Sequence, residues 1–133
     1  MRKSFDEYDL GIDSMDDMHH EYLMLFDTLI SSSEANFTDV FEIFIDHIQR
    51  HFTNEHQLML KSEFNRITIH QGEHESVLER LEVLLDMAKG DQVEEVRKWM
   101  KKNMPDWFVL HLRTMDSALA LHLKESGITA AGV

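Results

Sequence analysis

Nine histidines in 133 residues are many, and their spacing carries more information than their number. Residues three or four apart on a helix share a face. His51 and Glu55 form such a pair among Phe44, Ile48, Phe52 and Leu58, and His70 and His74 form another beside Ile67, Val77, Leu78 and Leu81. His111 stands with Met104, Trp107, Phe108, Leu112 and Met115, and His19 with Met15, Tyr22, Leu23 and Phe26. Each apolar stripe therefore carries at least one imidazole toward a core. Imidazoles and carboxylates buried singly incur a desolvation penalty of roughly 1–3 kcal/mol each. A shared metal cluster satisfies all of them together. The plain alternative is that each histidine is a separately satisfied core or rim residue, and any one of them alone would be read that way.

Asp116 follows His111 by five residues, which on a regular helix turns it about 140° away. The two then cannot grip one ion from one side, but they can flank a pair of ions, with Asp116 and Glu55 bridging. Five imidazoles and two bridging carboxylates leave two six-coordinate ions sharing one oxygen with a single open position, on the ion that has fewer imidazoles. An open position points to a small ligand bound directly to metal. Among redox metals this donor set suits iron best, and ligand type alone leaves zinc, manganese and copper open. His20 rivals His19 but shares its face with Asp16, Asp17 and Asp27, a solvent-like stripe. His47 rivals His51 but lacks an acidic partner, and reads as a surface residue or one behind the ligands. His56 and His122 read as exposed or rim residues.

Four amphipathic helices must position these groups. Residues 1–14 read as an extended arm, with Phe5, Tyr8, Leu10 and Ile12 available for packing. Helical spacing starts at Met15 and stops at Ser31–Ser33. A second helix starts at Thr38 or Asp39, either able to cap it, and runs to about Leu60. A third runs from Ile67 to Gly90, which suits a C-terminal cap. The last segment contains the only proline, Pro105. A break is expected there, with a new helix capped by Asn103 and Asp106. The fold class is all-α: an antiparallel up-down-up-down four-helix bundle with an extended N-terminal arm. One domain spans 1–133, with the arm at 1–14, the bundle at 15–126 and a frayed tail at 127–133.

Composition narrows the chemistry further. No cysteine is present, so disulfides, thiolate metal sites and cysteine nucleophiles are excluded. The formal charge of -12 repels phosphate backbones and argues against nucleic acid. No apolar run approaches the roughly 18 residues needed to span a bilayer, and Asp6, Glu7 and Asp9 interrupt any signal-like start. A cytoplasmic protein without membrane insertion is expected.

The pattern His19, then His51-Phe52-x-x-Glu55, then His70-x-x-x-His74, then Trp107-x-x-x-His111-x-x-x-x-Asp116 resembles the bacterial single-domain hemerythrins. The approach through Gly11-Ile12 to Met15-Asp16-x-x-His19 resembles the N-terminal arm of that family, and the likeness covers nearly the whole chain. The resemblance implies a non-haem di-iron centre, two iron ions with an oxo or hydroxo bridge, that takes dioxygen reversibly for storage, transport or delivery. It assigns His70, His74 and His111 to one iron and His19 and His51 to the other, with Glu55 and Asp116 bridging. It places Phe52, Trp107 and Leu112 in the oxygen pocket, to which Tyr22, one turn from His19, is added. His56 stands where the family commonly has an acidic residue. Two alternatives stay open: sensing of oxygen or redox state through a separate protein, and a di-iron oxidase or peroxidase. The second is disfavoured because the Glu-x-x-His motif of carboxylate-rich bundle oxidases is absent.

Overall fold

The computed structural model describes residues 5–127. A 3-10 turn, Phe5–Tyr8, leads into α1 (Asp13–Ser31), α2 (Glu34–Lys61), α3 (Ile67–Lys89) and α4 (Val93–His111). A π-helical turn, Leu112–Asp116, joins α4 to α5 (Ser117–Glu125), so the fourth rod of the bundle is one helix with a widened turn. Connections of two to five residues force successive helices to run antiparallel. Among the described residues no helix is long and apolar enough to cross a membrane.

Several boundaries differ from the sequence expectation. The arm is not extended throughout, because it contains the 3-10 turn, and α1 starts at Asp13. Residues 1–4 and the tail beyond Gly127 lie outside the described residues. The cap of α2 is Ser33, whose side chain accepts from the Asn36 amide, so Thr38 and Asp39 lie inside the helix. α3 ends near Gly90 as expected, but the residue in the left-handed region is Asp91, at φ 72°. The Gln92 amide then donates to the Met87 carbonyl and closes the helix end. α2 ends the same way, with Glu63 left-handed at φ 56° and the Phe64 amide bonded to Met59.

The expected break at Pro105 is absent. α4 runs straight through it, and the Asn103 side chain caps nothing, donating instead to the Trp99 carbonyl. Proline removes the amide that would have met the Lys101 carbonyl, and its ring crowds that carbonyl. Lys101 is exposed, so water can take that place. The irregularity falls about two turns later, in the π turn.

Two apolar layers fill the bundle. The larger holds Phe37, Phe41, Phe44, Ile48, Leu81, Val96, Met100 and Phe108 among others. The smaller holds Ile12, Met15, Leu58, Met59, Phe64, Leu119, Ala120 and Leu123. On every helix the same order recurs: small layer, then histidine and carboxylate positions, then large layer, read along or against the chain. A polar girdle thus lies between two apolar plugs.

Candidate metal centre

The girdle contains seven side chains, all buried: His19, His51, Glu55, His70, His74, His111 and Asp116. Ligand-capable atoms of Glu55, His70, His74, His111 and Asp116 lie within 4.8 Å of one another, and so do those of His19, His51 and Glu55. Glu55 faces both groups. Its Oε2 lies 2.6 Å from His51 Nε2, and its Oε1 lies 3.1 Å from His70 Nε2 and 3.4 Å from His74 Nε2. Asp116 does the same: Oδ2 is 3.0 Å from His19 Nε2, and Oδ1 is 3.1 Å and 3.2 Å from the Nε2 atoms of His111 and His70. Each carboxylate turns one oxygen to each imidazole group.

The π turn makes this possible. Regular α geometry would swing Asp116 away from His111, but the Ser117 amide bonds back five residues to Leu112 and widens the turn. The five-residue spacing then brings both side chains to one side. The expectation that they diverge is corrected by this extra residue per turn.

The donor chemistry fits cations. The Nε2 atoms of His74 and His111 stand 3.2 Å apart. Two imidazole nitrogens that close must share a proton or a positive ion. Among the described residues Asp116 Oδ1 has no aligned hydrogen-bond partner despite its two near imidazoles. A common acceptor of all three lone pairs would resolve that arrangement. On the far side of the rings, His111 Nδ1 lies 2.7 Å from Glu73, the type of carboxylate contact that fixes the tautomer of a ligating imidazole. The Nδ1 atoms of His19, His51, His70 and His74 have no hydrogen-bond partner among the described residues.

Electrostatics without metal show how tightly the charges are coupled. Burial opposes ionisation of Glu55, yet the His51, His70 and His74 contacts hold it well below the usual carboxylate range. Asp116 is pushed up by burial and by the Glu55 charge, but the close imidazoles of His111, His19 and His70 prevail and lower it. For His70, burial favours the neutral ring, but Asp116 and Glu55 outweigh it and raise the pKa to about 9. His19 and His111 are raised against burial by the same carboxylates. His74 is lowered, chiefly by burial.

Other expected residues fall in different places. Phe52 stacks face to face on His74 (3.7 Å, 1°) and Trp107 on His111 (4.7 Å, 11°). These two rings line separate grooves, Phe52 between α2 and α3 and Trp107 between α3 and α4. Leu112 is buried at the start of the π turn, and Tyr22 packs in the large layer. His20 points outward to Asp9 at 2.6 Å. His47 is buried rather than on the surface, 3.3 Å from the Met18 carbonyl. His56 borders the α2–α3 groove, and His122 reaches the Ser62 carbonyl at 2.8 Å. Asp16 does not belong to a solvent stripe. It is buried and accepts the Leu10 and Gly11 amides, clamping the arm onto α1.

Two residues with roles at or near the girdle escape sequence reasoning. Glu73 precedes His74 directly and follows His70 by three, a spacing that marks it as a neighbour of the ligand face. Asp16 opens the first turn of α1, where a carboxylate can accept amides of the incoming chain.

A model of the hemerythrin HHE cation binding domain matches residues 10–122. The chain belongs to the hemerythrin family. It is similar to the bacteriohemerythrin of Ralstonia nicotianae, with 29% identity over 119 residues, 89% of this chain and 85% of the relative. The bacteriohemerythrin of Aquifex aeolicus is 28% identical over 114 residues, 82% of this chain and 87% of that one. A crystal structure of a hemerythrin point mutant superposes with a TM-score of 0.76 at 18% identity, covering 92% of this chain and 96% of that one. That last likeness is one of fold. The histidine and carboxylate cluster is a metal-binding site consistent with the hemerythrin type of di-iron centre.

Proposed function

We propose that the chain holds two iron ions and binds dioxygen reversibly, as an oxygen store, transporter or delivery protein. The observation that carries this reading is the double-facing carboxylate pair, Glu55 and Asp116, set between two unequal imidazole groups. His70, His74 and His111 would hold one ion, and His19 and His51 the other, with an oxo or hydroxo bridge between them. Two ferrous ions supply reversible electron donation to dioxygen.

The protein's role is to hold, orient and exclude. Glu55 and Asp116 offset the cationic charge of two ions within a girdle that water barely reaches. Glu73 sets the His111 ring so that Nε2 faces inward. Phe52 and Trp107 cover the outer faces of His74 and His111 and hold those rings in place. The apolar layers on either side limit access by solvent and external reductants, which controls redox behaviour. No general acid or base is needed for binding and release.

The test is the visible spectrum of anaerobically reduced, iron-loaded protein before oxygen, after oxygen and after purging, alongside metal analysis. Charge-transfer bands that appear and vanish reversibly, with two irons per chain, are expected. Bands that persist after purging, or that disappear with turnover of an added reductant, move the reading to an oxidase or peroxidase. Absence of both iron and bands refutes it.

A further inference from the structure

Tyr22 carries a buried hydroxyl without a hydrogen-bond partner among the described residues, in a side chain only 4% exposed. Leaving such a group unsatisfied costs as much as a lost hydrogen bond, and phenylalanine would fill the same volume without that cost. Its ring stacks on Phe108 (4.6 Å, 12°) and also touches Phe26 and Phe44, all apolar. None of these rings can accept a conventional hydrogen bond. Among the described residues no group satisfies the hydroxyl, which leaves it able to donate to a ligand that the protein does not itself supply.

Its place in the fold sets it beside the His19 end of the girdle. Tyr22 follows His19 by three residues on the same buried face of α1, and helical side chains lean back over the preceding turn. Phe108 meets both residues, since it is edge-on to His19 at 5.7 Å and stacked on Tyr22. The group formed by His19, His51 and Glu55 offers fewer protein donors than the group around His70, His74 and His111. An ion on the His19 side has the greater room for an added ligand. Burial pushes the Tyr22 phenol well above its usual range, so it stays protonated and able to donate at neutral pH.

We infer that Tyr22 is a ligand-positioning residue: its hydroxyl donates a hydrogen bond to the small exogenous ligand, dioxygen or an anion such as azide, held on the His19 and His51 side of the centre. The inference rests on the proposed di-iron reading. It distinguishes this chain from a pocket walled by hydrocarbon alone, and it predicts slower ligand release than such a wall gives.

The experiment compares the iron-loaded protein with Tyr22→Phe, using azide on the oxidised form as probe. The substitution is expected to weaken azide about tenfold or more and to speed oxygen release from the reduced form, with iron content equal in both proteins. The tyrosine C–O vibration of the unsubstituted protein should shift when azide binds. Equal azide affinity in both proteins, with no vibrational shift, would overturn the inference while leaving the di-iron reading intact. Failure of azide and oxygen to bind either protein would overturn both. A separate check needs no iron: metal-free Tyr22→Phe should unfold at the same temperature or higher. A clear drop would mean that the hydroxyl has a fixed structural partner, such as a trapped water, and would sink the inference.

Discussion

At the scale of single residues, the imidazole set divides into groups that face the girdle and groups that do not. Replacing His74 by alanine removes a donor from the larger group, and iron content should fall by about one ion per chain. Replacing His20, which meets Asp9 at the surface, should leave iron content unchanged. Equal iron in the two variants, measured by metal analysis, would show that the ligand assignment is wrong. Glu73→Ala belongs to the same scale. Loss of the carboxylate behind His111 should weaken iron binding about 10–100-fold while leaving the fold intact, as read by chelator competition. The buried histidines are legible because imidazoles on a stripe of Phe, Leu and Met have no cheap structural explanation. His47 and Asp16 are not, because a helical wheel records neighbours on one helix only. His47 is covered by α1, and Asp16 is covered by the arm that it clamps, and neither cover is visible in local spacing.

At the scale of elements, helix centres are legible and helix irregularities are not. Apolar periodicity locates all four rods, because that stripe is what packing requires. The Ser33 cap escapes local reading because the polar stretch from Ser31 to Asn36 resembles a single loop. It in fact holds only two non-helical residues between helices. Pro105 misleads in the opposite direction. A proline removes one hydrogen bond, but packing of Met100, Met104 and Phe108 into the large layer fixes the rod on both sides of it. Restoring the missing amide by Pro105→Ala should therefore stabilise the protein by about 1–3 kcal/mol, seen as a higher Tm, without altering iron stoichiometry. The π turn, by contrast, leaves no signature in residue type. It is betrayed only by the five-residue interval between His111 and Asp116, which makes sense for a shared site once the turn is widened.

At the scale of the whole molecule, the girdle makes folding depend on protons when metal is absent. His70 has a raised pKa of about 9 in the folded chain against an ordinary value near 6.5. Its protonation therefore adds stability that is complete below about pH 6.5 and lost as pH rises through about 9. Glu55 and Asp116 are lowered, so their contribution is present above the ordinary carboxylate range and lost on acidification. Metal binding demands neutral imidazoles and releases protons. The difference in Tm between iron-loaded and metal-free protein should widen from pH 6.5 to 9. A constant difference across that window, measured by thermal unfolding, would contradict the coupling between His70 and the two carboxylates.

The two apolar plugs are unequal, and the smaller is the easier end of the bundle to open. Anything entering or leaving along the bundle axis must displace a plug, whereas the α2–α3 groove reaches His74 from the side. The smaller plug, built from Ile12, Met15, Leu58, Met59, Phe64, Leu119 and Leu123 with Ala120, has less apolar area to expose. Its hinge is the Asp16 clamp on the Leu10 and Gly11 amides, which fastens Ile12 into place. Cutting that latch with Asp16→Ala should speed iron extraction by a chelator severalfold and leave the spectrum of the loaded centre unchanged. The arm thus does more than pack on the core: it latches the smaller plug.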